Sequence, residues 1–107
     1  MAKISIKQYL KMQERFPEFL DAVESLGKTA SLAGPLDEKV RHLVQLAAAA
    51  ALRSEGAVHS HTRRAAEAGA SPEEIRHALL VLTSTIGFPT ISAAMTWVDD
   101  VLESDSS

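Results

Sequence analysis

A chain of 107 residues is enough for one domain with a modest core. Its formal charge of −3 gives no electrostatic reason to expect nucleic acid as a partner. It has no cysteine, so disulfides, thiolate catalysis and cysteine-based metal or cluster sites are excluded. Nearly half the residues are hydrophobic but few are aromatic, and alanine supplies much of the total. That composition favours closely packed helices over a bulky core.

The first 13 residues mix lysine with isolated apolar residues and lack the continuous apolar stretch of a signal peptide. Ile4, Ile6, Tyr9, Leu10 and Gln13 read as a short, weakly helical opening. Pro17 suits the first turn of a second helix. Phe16, Phe19, Leu20, Val23 and Leu26 recur there at helical spacing, with Glu18, Asp21 and Glu24 opposite. The pattern fades through Gly27, and Gly34-Pro35 stops it.

Asp37 is a good N-cap for a helix over about 38–53, with Glu38 adding negative charge at its positive end. The spacing predicts that Val40, Leu43, Val44 and Ala47 face inward, and Lys39, Arg41, His42 and Gln45 outward. Residues 46–52 are apolar all round, which predicts burial on every side, in a central helix or a subunit interface. The run over 43–52 is too short to span a bilayer, and a cytoplasmic protein is expected.

Polar, titratable residues crowd together in the stretch Arg53-Ser54-Glu55-Gly56-Ala57-Val58-His59-Ser60-His61-Thr62-Arg63-Arg64. Gly56 suggests a break, with a new helix from about Ala57. On it Ala57, His61, Ala65 and Ala68 share a face, which points His61 inward. His59 falls about 200° away, beside Arg63 and Ala66, and is expected to face outward. Gly69 is a good C-cap residue. Ser71-Pro72-Glu73-Glu74 then reads as N-cap, N1 and capping box. Ile75, Leu79, Leu82 and Ile86 carry the core face of that helix, before a polar turn at Thr83-Ser84-Thr85 and the break Gly87-Phe88-Pro89. The last helix turns Ile91, Ala94, Met95, Val98 and Leu102 inward, and the tail from Ser104 to Ser107 is expected to fray. No stretch alternates with period two. The expectation is all-α: one domain over 1–107, a bundle of about six helices joined by short connections.

Four chemistries are open to these residues. His59 and His61 point to different sides and have no third ligand nearby, so no metal is expected. Ser60 and His61 are neighbours that do not face each other, and no nucleophile-elbow motif supports a serine nucleophile. No Gly-rich phosphate loop is present. Acid–base chemistry remains. His61 titrates near neutral pH, Glu55 lies just before its helix, and Arg41 supplies a fixed positive charge from the preceding helix. The bland readings are a core histidine for His61, a helix N-terminal charge for Glu55 and a solvated face for Arg41.

The segment Leu36-Asp37-Glu38-Lys39-Val40-Arg41 leads into the Ala-rich helix. His61 is followed by Ala65 and then by Glu67-Ala68-Gly69-Ala70-Ser71-Pro72-Glu73-Glu74-Ile75. Gly87, Pro89 and Ala93-Ala94-Met95 come after. In order and spacing these resemble the carboxymuconolactone decarboxylase and alkyl hydroperoxidase D-like family over about 35–103, leaving N-terminal helices over about 5–33 unmatched. The resemblance implies the alkyl hydroperoxidase D-like fold and a homotrimer or homohexamer. The peroxidase branch carries a Cys-x-x-Cys-x-x-x-His motif with a proton-relay Glu upstream. Here its cysteine positions fall on Ser54 and Ala57, its His on His61 and its relay Glu on His42. Only the histidine is kept, so thiol peroxidase activity is not expected, even where family resemblance suggests the label peroxiredoxin-like.

The decarboxylase branch resembles the chain at Arg41, Leu43 and Val44, at Glu55 and His61, and at Gly87, Pro89 and Ala93-Ala94-Met95. It implies cofactor-independent decarboxylase or lyase chemistry on a small carboxylated lactone or related acid, with His61, Glu55 and Arg41 as catalytic residues. The alternative is a non-catalytic small-molecule-binding or scaffold protein that kept the fold.

Overall fold

In a computed structural model of the chain, residues 2–105 are described, with the side chains of residues 7–104. Seven helices follow one another among them: α1 (Ala2–Arg15), α2 (Pro17–Ser31), α3 (Glu38–Ala51), α4 (Glu55–Glu67), α5 (Pro72–Leu80), α6 (Thr83–Ile86) and α7 (Phe88–Asp105). The described residues contain no strand. The all-α expectation holds, and the helix beyond the expected six is α6, a single turn where a polar turn was expected. The side chains of Ile4 and Ile6, part of the expected helical opening, lie outside the described ones, and Ser106 and Ser107 lie outside the described residues. Ser104 and Asp105 continue α7 rather than fraying.

The chain divides into two compact units, Met1–Leu36 and Asp37–Ser107. In the first, α1 packs on α2, and the Tyr9 hydroxyl donates to Glu24 between them. Pro17 occupies the first turn of α2 as its sequence implies. No residue of α2 is buried, and Phe16, Phe19, Val23 and Leu26 of the apolar stripe read from the sequence are exposed. Two helices have too little bulk to enclose each other's apolar stripes.

In the second unit α3 packs on α4, α4 on α7, and α5 on both α3 and α7. The core joins Leu46, Ala49 and Ala50 of α3 to Val58 and Ala65 of α4, Ile75 and Leu79 of α5, and Ile91, Ala94 and Val98 of α7. Burying each large aliphatic side chain stabilises the fold by about 1.5–3 kcal/mol. Local chemistry sets the helix ends. Asp37 accepts a hydrogen bond from the Val40 amide at 2.9 Å and caps α3. At α5 the capping box is complete: Glu74 N–H donates to Ser71 Oγ at 3.0 Å and Ser71 N–H to Glu74 Oε1 at 2.9 Å. The Ser71 amide and then Lys39, 3.0 Å away on α3, hold the Glu74 carboxyl below its ordinary value.

Both ends of the α3–α4 hairpin close with the same motif. After α3, Arg53 N–H donates to Ala50 O and Ser54 N–H to Ala49 O, each at 3.0 Å; after α4, Gly69 N–H donates to Ala66 O and Ala70 N–H to Ala65 O. The motif needs a left-handed residue. Gly69 supplies it at φ 100°, but at the first closure the residue is Arg53, at φ 54°. That closure starts α4 at Glu55, two residues before the expected start, and puts Gly56 inside the helix rather than at a break.

The phase of α3 also differs from expectation. Leu43 packs on the core as expected, but Val44 is 54% exposed. Leu46, Ala49 and Ala50 are buried while Ala48, Ala51 and Leu52 are exposed, so residues 46–52 are not covered on every side within this chain. The buried face runs through 42, 46, 49 and 50, the i, i+4, i+7 and i+8 positions of one helical stripe.

Candidate active site

The site is built where α3 meets α4, the most extensive packing between helices in the second unit. His61 projects from α4 and is half-buried. His42 projects from α3 with only 17% of its side chain exposed. The two rings lie near each other across the helix pair, with centroids 6.1 Å apart and planes tilted by 35°. The Nδ1 atoms of both are buried and have no hydrogen-bond partner. Buried polar nitrogens are nearly always paired, so two orphans on facing helices set this pair apart from the other buried polar groups described.

Burial pushes the His61 imidazole below its ordinary value, with the nearby Arg64 and His42 adding to the shift in the same direction. His61 is therefore neutral at neutral pH, with one ring nitrogen protonated and the other free. Beside His42, Glu38 Oε1 lies 3.9 Å from Nε2, one helical turn back on α3. The two histidines thus have unlike neighbours: a carboxylate near His42 and a guanidinium near His61.

Of the expected catalytic residues, Glu55 heads α4 as its first residue and is half-buried. On an ideal helix it lies about 120° around the axis from His61 and about 9 Å back along it, so one helix face does not bring them together. Arg41 is half-buried on α3, one residue before His42. His61 meets His42, a residue expected to face outward. A stripe drawn backwards from Leu46, Ala49 and Ala50 would have found it, because His42 is one turn before Leu46.

His59 corrects a second expectation. It is not outward but 4% exposed, and its Nε2 donates to Asp100 Oδ2 on α7 at 3.1 Å. The buried stripe of α4 runs through Val58, Thr62 and Ala65, and His59 flanks it. Thr62 meets its buried hydroxyl's need by donating to Val58 O at 2.7 Å. The stripe Ala57, His61, Ala65 and Ala68 was about one position out of phase, since alanine is small enough to sit at the edge of a core as readily as in it. At the α4 N-cap, Ser54 makes no side-chain capping bond. Among the described residues no group of three or more His, Asp or Glu side chains is placed to hold a metal ion, and no helix is long and apolar enough to cross a membrane.

The fold and sequence have relatives. The chain is 37% identical over 92 residues to an uncharacterised protein of Methanocaldococcus jannaschii, covering 86% of this chain and 83% of that one. It is similar to the crystal structure of an apo carboxymuconolactone decarboxylase family protein from Legionella pneumophila, with a TM-score of 0.85 and 25% identity over 95% of this chain and 91% of that one. The profile of the carboxymuconolactone decarboxylase family matches residues 17–100, which adds α2 to the region that the sequence motifs alone had suggested. With most of its length matched, and with no cysteine anywhere in it, the chain is a cysteine-free member of the carboxymuconolactone decarboxylase family.

Proposed function

We propose that the protein is a cofactor-independent acid–base enzyme, a carboxy-lyase acting on a small carboxylated lactone or a related acid, and that His61 is its principal catalytic residue. The observation that carries this reading is the half-buried His61 imidazole with a buried, unpartnered Nδ1, held neutral by its surroundings. Family membership and the absence of cysteine support it, because together they leave decarboxylase-type chemistry and remove dithiol chemistry.

In such a substrate the departing carboxylate sits on a carbon conjugated through a double bond to the lactone carbonyl. The carbon–carbon bond to the carboxylate breaks, carbon dioxide leaves, and the electron pair moves through the double bond onto the carbonyl oxygen. A dienolate results, and a proton must then return to carbon. The site needs a hydrogen-bond donor for the developing oxyanion, a cation for any second carboxylate, and an acid for the returning proton. His61 supplies the donor and relays to carbon the proton that solvent provides. Arg41 supplies the cation, and Glu55 a carboxylate at the head of α4. The same reading has the protein working as a homotrimer or homohexamer in the cytoplasm. The exposed Val44, Leu52, Leu80, Val81 and Phe88 support the assembly as apolar surface that partner copies would cover.

The test is turnover of 4-carboxymuconolactone and related lactone acids, followed by loss of the conjugated absorbance or by release of carbon dioxide. A general acid or base contributes about 10²- to 10⁴-fold, so His61→Ala is expected to slow turnover by about that factor, and Arg41→Ala to weaken substrate binding. Full activity in His61→Ala would remove the residue from the mechanism. If no lactone acid is turned over, the non-catalytic binding or scaffold reading replaces this one.

A further inference from the structure

Within the first unit, α1 leaves the apolar stripe of α2 open. Phe16, Phe19, Val23 and Leu26, at i, i+3, i+7 and i+10, are each between 47% and 70% exposed. With Gly27 and Ala30 they share an arc of about 100° of the helix. Glu18, Asp21, Glu24 and Lys28, the charged residues of α2, all fall outside that arc. Tyr9 reaches Glu24, about 120° round from the middle of the stripe, so α1 lies against a different side. With about 200 Å² of surface on a phenylalanine, the four large side chains leave about 400 Å² bare. A standard interface buries about 800 Å² on each partner, a little over half of it apolar, so the stripe is of the size that one needs.

The order of residue sizes along the stripe decides what fits it. Phe16 and Phe19 occupy its N-terminal half, Gly27 and Ala30 its C-terminal half. Counted outward from Val23, Leu20 and Leu26 are three residues away, Phe19 and Gly27 four, Phe16 and Ala30 seven. We propose that α2 pairs with α2 of a second copy of this chain, antiparallel, about a twofold axis at Val23. That register sets Phe19 level with Gly27 of the second copy, Phe16 with Ala30, and Leu20 with Leu26. The phenylalanines then meet the small residues, as close packing of facing helices requires. A parallel pairing sets phenylalanine on phenylalanine at one end and leaves a gap at the other. Gly27 is an unfavourable residue for a helix interior, and a Cβ there meets no atom within 4 Å. Its missing side chain leaves the notch that the Phe19 ring of the second copy fills. A self-complementary contact of this kind joins copies in pairs. It stands apart from the catalytic reading and adds a contact to the assembly proposed above, where it selects six chains over three.

The test uses the full-length chain. Because it contains no cysteine, a single introduced cysteine can bridge only to its own counterpart in another copy. Val23→Cys, on the axis, is expected to form a cross-linked pair on mild oxidation, since bridged Cα atoms must lie within about 7 Å. Ser25→Cys, exposed on the other side of α2, is expected to stay single. Gly27→Leu fills the notch with a good helix former whose Cβ meets no atom of its own chain within 4 Å, so it should keep its helical circular dichroism. Light scattering should give that variant half the mass of the parent, three chains in place of six. The pairing is overturned if Val23→Cys stays single, if Ser25→Cys cross-links as readily, or if Gly27→Leu keeps the parent mass. A parent of three chains would also sink the pairing and leave the proposed assembly standing. A parent of two chains that Gly27→Leu halves would uphold the pairing and remove the three- or six-chain assembly. Lactone turnover is not read in any of these measurements, so the catalytic reading is judged separately by His61→Ala.

Discussion

His59 and His61 are two residues apart on α4, and their environments make opposite use of the same ring. His59 is almost fully buried and bonded to Asp100, so it fastens α4 to α7. His59→Ala removes that bond and leaves a small void. Because Asp100 is half exposed and can turn to water, the expected loss is about 1–2 kcal/mol, read as a lower urea midpoint with an unchanged slope. An unchanged midpoint would mean that the bond is not formed in solution. His61 makes no such bond, and its environment opposes its charge. Its folded value lies below the ordinary 6.5, through burial first and then Arg64 and His42. As pH falls, the unfolded chain takes up this proton before the folded one does. The stability that neutral His61 provides is therefore fully present above about pH 6.5 and is lost as pH falls through the lower folded value. Urea titrations at about pH 7.5 and 5.5 should show the parent less stable at the lower pH, and His61→Gln should lose less over the same interval. An equal loss in both would show that His61 is not the group responsible. The sequence singled out His61 because it shares a stripe with alanines. A stripe through Leu46 reaches His42 one turn earlier, but in an alanine-rich helix the sequence alone leaves open which such stripe a neighbour covers.

Helices are legible in this chain where side chains act on their own backbone. The Asp37 cap, Pro17 at N1 and the Ser71–Glu74 capping box are all found where the sequence puts them, because each depends on residues within a few positions. The start of α4 is not, because it depends on Arg53 adopting a left-handed conformation that non-glycine residues disfavour. Two glycines test the same physics in opposite directions. A Cβ at Gly27 or at Gly69 would meet no atom within 4 Å, so space does not decide either case. Gly27 lies inside α2, where alanine is the better helix former, and Gly27→Ala should stabilise that helix by about 0.5–1 kcal/mol. Gly69 sits at φ 100°, and Gly69→Ala should cost about 1–2 kcal/mol and loosen the closure after α4. Thermal melts followed by circular dichroism read both shifts. A Gly69→Ala variant melting at or above the parent temperature would mean that this closure does not hold in solution.

For the molecule as a whole, the decisive quantity is apolar surface left uncovered. Val44 on α3 and Leu52 at its C-cap lie about two turns apart with Ala48 between them and Ala51 beside, and all four are exposed. Leu80, Val81 and Phe88 add more exposed apolar surface in the same unit. The all-round apolar character of residues 46–52 predicted complete burial, and one chain buries only one side of it. A continuous apolar stripe of this kind on a small chain is the surface that self-association covers, and closed symmetric assemblies are its usual form. On the proposed assembly, the homotrimer or homohexamer that the family resemblance implies, light scattering after size exclusion should give a mass three or six times that of the chain at micromolar concentration. Replacing Val44 and Leu52 together by glutamate puts two like charges into the contact. Because both positions are exposed in the single chain, the double variant should keep its helical circular dichroism while its mass falls towards the monomer. A parent that runs as a stable monomer would rule out the assembly. A variant that stays assembled would move the contact off this face of α3 and leave the other exposed apolar side chains to account for it.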